Sequence, residues 1–361
     1  MPTATLTTRE LNRALLARQF LLAPSSLGLV PTVERIGGLQ TQYAPSGYIG
    51  AWSRMSTFER PDLTRALEQR RIIQGKLLRS TIHMVSARDY WLFLAAITPS
   101  RQEWFRRITR KQHPDLDMEG AARLLRGKLA SGPCKQDELR EVLRARGYPR
   151  EALSGVTGWL HMVRVPPSGT WDQRRADLFG LAEQWISPVA HSESAAIEHV
   201  ITRYLGGFGP APLRDIADWA GITYQKVVPA AERMSLRRFR DEKGKPLYDL
   251  PRAPLPDAST PAPVRFLPTW DATLLVHARR TQILPERFRP LIFHVRIPQS
   301  KPSFLVDGQV AGSWRYDGKR VVTEPFEPLP LRARRELEVE ARRLAAFHAD
   351  GNPRPVSKKP G

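Results

Sequence analysis

At 361 residues with 41% hydrophobic content in regular periodic patterns, the chain is long enough for two or three cores and is a folded protein rather than a disordered one. No apolar run is long enough to span a bilayer, and Arg9, Arg13 and Arg18 interrupt the N-terminal leucines, so neither a membrane span nor a signal peptide fits; a lone cysteine, Cys134, excludes an internal disulfide framework and a Cys-rich zinc site and suits a reducing cytoplasm. With 56 Lys and Arg against 36 Asp and Glu, the formal charge of +20 favours polyanionic partners, nucleic acid first, although an Arg-, Pro- and Ala-rich composition also follows from a GC-rich genome.

In chain order, Thr7-Thr8-Arg9-Glu10 reads as a capping box that opens an amphipathic helix carrying Leu11, Leu15, Leu16 and Leu22, ended by Pro24. A second helix is expected over about 32–39. It leads into Gln40-Thr41-Gln42, where two glutamines at i and i+2 share a face if the backbone is extended. Pro45 and Gly47 then break the pattern, a helix follows over 48–55 and another over 61–70, and 77–86 alternates as a strand with Thr81 and His83 on one face.

From 118 the order is helix (118–130), Ser-Gly-Pro, helix (136–146), Gly-Tyr-Pro, helix (150–161), then a short strand (162–165) and a Pro-Pro-Ser-Gly turn, which is the winged-helix order. Its third helix is nearly free of cations, so this unit reads as structural. A cleaner copy runs from 192 to 250: an apolar helix face from Ala196 to Leu205, a helix opened by Pro212 and closed by Gly221, a helix capped at Thr223, and a hairpin turning at 242–245. Arg237, Arg238, Arg240, Lys243 and Lys245 make that wing basic, and with Lys226 they are expected to meet DNA phosphates; a solvated hairpin is the alternative. Residues 251–263 read as a linker, the segments 264–268, 291–297, 303–306 and 310–316 as strands around Asp-Gly turns at 307–308 and 317–318, 331–348 as a helix, and 351–361 as a disordered basic tail.

Familiar catalytic signatures are absent: there is no Gly-rich phosphate loop, no H-E-x-x-H and no G-x-S-x-G, and no cofactor or metal is expected. Asp271 with His277 reads as a structural hydrogen-bonding pair. The segments Leu39-Gln40-Thr41-Gln42, Trp52-Ser53-Arg54, Arg79-Ser80-Thr81-Ile82-His83, Phe266-Leu267-Pro268 leading to Asp271 and Arg280, and Val306-Asp307-Gly308 leading to Gly312-Ser313-Trp314 carry a resemblance. In this order and spacing the chain resembles the winged-helix DNA glycosylases related to AlkZ and YcaQ over roughly residues 5 to 350. That resemblance implies tandem winged-helix units with a β-rich C-terminal part and the removal of alkylated purines from DNA, including the unhooking of interstrand crosslinks. It implies a Gln-hydrophobe-Gln catalytic motif, hence Gln40 and Gln42; the middle residue here is Thr41.

An amide has no useful basicity near neutral pH, so two glutamines cannot deprotonate a nucleophile. An N7- or N3-alkylated purine already carries positive charge and needs little leaving-group protonation, so the remaining task is to hold a water at the anomeric carbon and stabilise an oxocarbenium-like transition state. The nearest lysine is Lys76, which favours water over an amine nucleophile and a monofunctional enzyme. Arg54, Arg79, Thr81 and His83 are expected to contact the lesion or flanking phosphates.

The expected protein is α+β: tandem winged helix-turn-helix units at 1–117, 118–190 and 191–250, a β-rich part at 251–350 and a tail at 351–361. It is expected to act as a cytoplasmic, nucleoid-associated monomer on double-stranded DNA carrying alkylated or crosslinked purines. The alternatives are a winged-helix regulator in which the glutamines read or brace, and a scaffold whose winged helices bind protein.

Overall fold

The computed structural model describes residues 4–274, 278, 280–293 and 300–349, and the architecture is α+β, with winged-helix units and a four-stranded C-terminal sheet. The expected tail at 351–361 and His277 lie outside the described residues. The first helix, Thr8–Arg18, starts on the capping box read from the sequence: the Thr7 side chain and Glu10 satisfy each other's backbone N–H groups. It ends well before Pro24, because Phe20 takes a left-handed conformation (φ 54).

The expected helix over 32–39 is shorter and earlier, Leu29–Arg35. Gly37 and Gly38 (φ 81 and 90) end it and turn the chain into the strand Leu39–Gln40; a Cβ on Gly38 would sit 2.9 Å from Val85 Cγ1, so only glycine brings the strands this close. Pro45 opens rather than breaks the next helix, Ala44–Trp52, because its missing N–H falls among the first-turn groups that have no intrahelical acceptor. Of the expected strand over 77–86 only Ile82–Ser86 is strand; its first half is a turn, with Arg79 (φ 49) and Ser80 (φ 58) both left-handed, that joins it to a preceding strand, Ile72–Lys76.

Residues 87–109, to which the sequence reading assigns no element, form a 23-residue helix that packs against Glu193–Phe208. The helix expected over 150–161 is only Glu151–Gly155 followed by a 3-10 turn, and of the strand expected over 291–297 residues 291–292 end the short helix Arg289–Ile292, while 294–299 lie outside the described residues. The third unit follows its sequence reading closely: helices Glu193–Phe208, Leu213–Ala220 and Tyr224–Arg233, Gly221 left-handed at the turn (φ 76), and the hairpin Arg237–Asp241/Pro246–Asp249.

Strand pairing ties the units together. One six-stranded sheet runs Leu39–Gln40, Ile82–Ser86, Ile72–Lys76, Met162–Arg164, Leu178–Leu181, Cys134–Lys135, so residues before and after position 117 share it through Gln74↔Arg164 and Gly75↔Val163. The N-terminal strand Thr5–Leu6 pairs in parallel with the wing strand of the third unit. Three apolar cores lie around this frame, one built on the helices 8–18, 87–109 and 193–233, one beneath the glutamine segment and the C-terminal sheet, and one within 105–181.

Candidate active site

The glutamine segment sits at the edge of the six-stranded sheet, where Gln40 pairs with His83, which in turn pairs with Gly75. These three positions share one face. The strand ends at Gln40 and the chain bends at Gln42, yet the two amides meet: Gln40 Nε2 donates to Gln42 Oε1. Arg79 fixes the direction of this bond. Its left-handed backbone turns the guanidinium inward, where Nη1 donates to the Trp219 carbonyl (2.7 Å) and Nη2 donates to Gln40 Oε1 (2.7 Å). A guanidinium only donates, so the Gln40 oxygen must face it and the Gln40 nitrogen must face Gln42. The result is a directed chain, Arg79 to Gln40 to Gln42, that starts in the protein interior and ends at a solvent-exposed amide.

Burial lowers the Arg79 pKa to about 10, and the neighbouring Arg280 adds to that. His83 is almost fully buried, and desolvation, with Arg79 close by, lowers its pKa to about 3, so the ring is neutral at physiological pH. Its Nδ1 lies 3.1 Å from the Thr81 carbonyl, which makes Nδ1 the protonated nitrogen. The expectation that His83 meets a phosphate gives way to a ring packed in register behind Gln40. Thr81 is half-buried on the cleft wall, its hydroxyl donating to the Leu78 carbonyl at 3.0 Å.

Thr41, between the glutamines, points to the opposite face and is buried. Gln74 of the third strand donates to its hydroxyl (3.3 Å), so a polar residue at a position where the resembled motif has a hydrophobe acquires a polar partner. Gln74 was not visible as a site residue in the sequence, because nothing local links it to position 41.

Gln42 opens onto a cleft of about 520 Å³ whose walls include Lys76, Ser80, Thr81, Gln136, Arg140, Arg150, Glu151 and Arg164. Four cations against one carboxylate make it basic. The second winged-helix unit, which the sequence suggests is structural, supplies much of this wall. Lys76 donates to the Ser154 carbonyl (2.6 Å), and burial, then Arg101 and Arg164, lowers its pKa to about 8. Behind Gln40 is a space of about 10 Å³ lined by Arg54, Trp270 and Asp271, room for one water.

The remaining expected DNA contacts divide in two. Arg54 is buried, 1% exposed, with its guanidinium on Asp271 (2.9 Å), Gln19 and the Gly50 carbonyl; it braces the back of the site and has no face toward DNA. Arg237 is held by the buried Asp249 (2.6 Å), which also receives Arg18 (2.6 Å), and Lys226 is paired with Glu193 (2.5 Å). Arg237 is thus tied to a buried carboxylate, whereas the Lys226–Glu193 pair lies at the surface. Arg238 lies over the Tyr248 ring, while Arg240, Lys243 and Lys245 are exposed on the wing with no carboxylate partner among the described residues, and they keep the geometry for phosphate contact. None of the wing residues lines the glutamine cleft.

Among the described residues no cluster of three or more His, Cys, Asp or Glu could hold a metal ion, and no helix is long and apolar enough to cross a membrane.

The sequence matches a family model described as DNA glycosylase AlkZ-like over residues 33–347. Among solved structures the fold is similar to that of the Streptomyces sahachiroi DNA glycosylase AlkZ, with a TM-score of 0.78 at 18% identity, covering 95% of this chain and 97% of that one. No curated protein matches the sequence significantly.

Proposed function

Since the chain belongs to the AlkZ-like DNA glycosylase family, and acts as a DNA glycosylase on that ground, we propose that it hydrolyses the N-glycosidic bond of N7- or N3-alkylated purines in duplex DNA, crosslinked purines included. The observation that carries this reading is the directed chain from Arg79 through Gln40 to Gln42. It presents an amide of fixed orientation at the mouth of a basic cleft, the arrangement a positioned water needs.

In the reaction the C1′–N9 bond breaks and its electron pair goes to the alkylated purine, which leaves neutral. Positive charge moves from the base to the sugar, so the groups around C1′ should offer electron density and no cation. The Gln42 amide oxygen has a second lone pair for the water, His83 is neutral, and the Arg79 charge is turned back toward Gln40 and Trp219. The water adds to C1′ and its surplus proton passes to solvent. No general acid is required of the protein.

Lys76 lines the same cleft, but it follows Gly75 in its strand and therefore points to the face opposite Gln40 and His83, with its amine on Ser154. This supports water as the nucleophile and a monofunctional enzyme that leaves an abasic site. The cleft opens along the exposed residues Arg140, Arg150 and Glu151, which suits a crosslinked purine that cannot swing into a closed pocket. Of the two amides Gln42 lines this concavity, while Gln40 is buried behind it and acts on it through its hydrogen bond to Gln42.

The test incubates the protein with duplexes carrying N7-methylguanine or an N7–N7 crosslink and reads alkali-labile strand breaks. Gln40→Ala and Gln42→Ala should each lose activity, and full activity in the double variant would overturn the site. A borohydride-trapped covalent adduct would overturn the water mechanism.

A further inference from the structure

A second cavity, about 380 Å³, lies between the helix Ala87–Thr109 and the helix-turn-helix of the third unit, against the same Arg79–Ser80 turn. It meets the Gln42 cleft at Ser80, which lines both. Leu77, Ile97, Ala220 and Ile222 give it apolar walls, with Ser100 and Arg101 as polar lining, and its volume is at the small end of ligand pockets, roughly 300–1,000 Å³, a fit for one heterocycle rather than a peptide or a cofactor.

The rim adds two features. Trp104 is 45% exposed over the cavity, and Arg107, one turn on, makes no ion pair among the described residues, although Glu103 shares the same rim. Among the described residues the exposed large aromatics are Tyr43, Trp104 and Tyr224. Tyr43 follows Gln42, Trp104 lines the cavity, and Tyr224 follows its lining residue Thr223. Exposed aromatic faces beside cationic side chains are the platform on which unstacked bases lie.

We propose that this cavity receives one nucleobase turned out of the duplex beside or opposite the lesion, stacked on Trp104, with its phosphate on Arg107. The inference rests on the glycosylase reading above. A purine tied to both strands cannot leave the helix, so room at its glycosidic bond has to come from displacing a neighbouring base, and the cavity is where continuity with the Gln42 cleft puts that base.

The experiment uses a duplex with a tetrahydrofuran abasic-site analogue, which the enzyme cannot cleave, and 2-aminopurine placed in turn 5′, 3′ or opposite to it. Wild type and Trp104→Phe should change the 2-aminopurine emission in at least one position. Trp104→Ala, folded by circular dichroism, should lose that change and bind the analogue duplex roughly tenfold more weakly, with little loss on intact duplex. No response at any position, or a response that survives in Trp104→Ala, overturns the proposal. Because no bond is broken in this assay, its outcome is independent of the excision test that decides the glutamine site.

Discussion

Replacing Arg79 by lysine tests whether the amide chain has to be anchored. The guanidinium forks between the Trp219 carbonyl and Gln40 Oε1, each at 2.7 Å, whereas a lysine ammonium on a flexible stem cannot hold both acceptors in that geometry. The bond to Gln40 is charge-assisted and partly buried, worth about 1.5–3 kcal/mol. Without it the Gln40 amide can rotate by half a turn, and Gln42 loses its fixed orientation. If that energy is expressed in the transition state, the excision rate falls roughly 10- to 150-fold. The assay is single-turnover release of N7-methylguanine from a duplex, at a temperature where the variant is folded. Because Arg79 is argued to act through Gln40, the double variant matters most: Arg79→Lys in a Gln40→Ala background should change the rate by less than about twofold. An Arg79→Lys enzyme as fast as wild type, or costs that multiply in the double variant, would refute the relay.

Three further predictions follow from packing and burial. Gly47→Ala should lower activity and stability, since a Cβ there would lie 2.8 Å from Thr41 Cγ2 and 2.9 Å from Met84 Sδ, an overpacking worth about 1–3 kcal/mol; adding Thr41→Ser, which removes the clashing methyl, should restore part of both, as read by excision rate and thermal midpoint. His83, His161 and His348 have pKa values lowered by burial to about 3, 4 and 4, so between those values and the ordinary 6.5 the unfolded chain binds more protons than the native one. Stability is therefore full above pH 7 and lost as pH falls below about 6.5, by about 1.4 kcal/mol per pH unit for each histidine; urea midpoints that do not move between pH 7.5 and 5.5 would contradict this. Asp249→Ala leaves Arg18, fully buried, without its carboxylate and should destabilise the fold by about 3–5 kcal/mol in urea titration, a loss that Arg237→Ala, with its half-exposed side chain, should not match.

Local signals determined a good deal of this protein. The capping box at Thr7–Glu10, the apolar helix face from Ala196, Pro212 at one helix start and Gly221 past its end, and the Asp-Gly turns at 307–308 and 317–318 each depend on neighbours a few residues away, and each is found where the sequence puts it. The pairing of Gln40 with Gln42 is also local, two residues apart, although the strand ends at Gln40 and a bend brings the second amide back to the first.

What the sequence left open are pairings across long separations. Arg54 and Arg237 are indistinguishable in composition from Lys243, yet Arg54 finds Asp271, 217 residues on, and the Asp249 that takes Arg237 also takes Arg18 from 231 residues away, which removes both arginines from the DNA-facing set. Arg79 reads as another phosphate contact until two left-handed residues aim it inward. The unit with few cations on its third helix supplies the cleft wall because Gln74 and Gly75 pair with Arg164 and Val163. Hydrophobic periodicity fixes which face of an element is buried but not which element it meets. Charge partners and sheet order are settled only when the whole chain closes, and here that closure decides which basic residues hold the site and which remain for DNA.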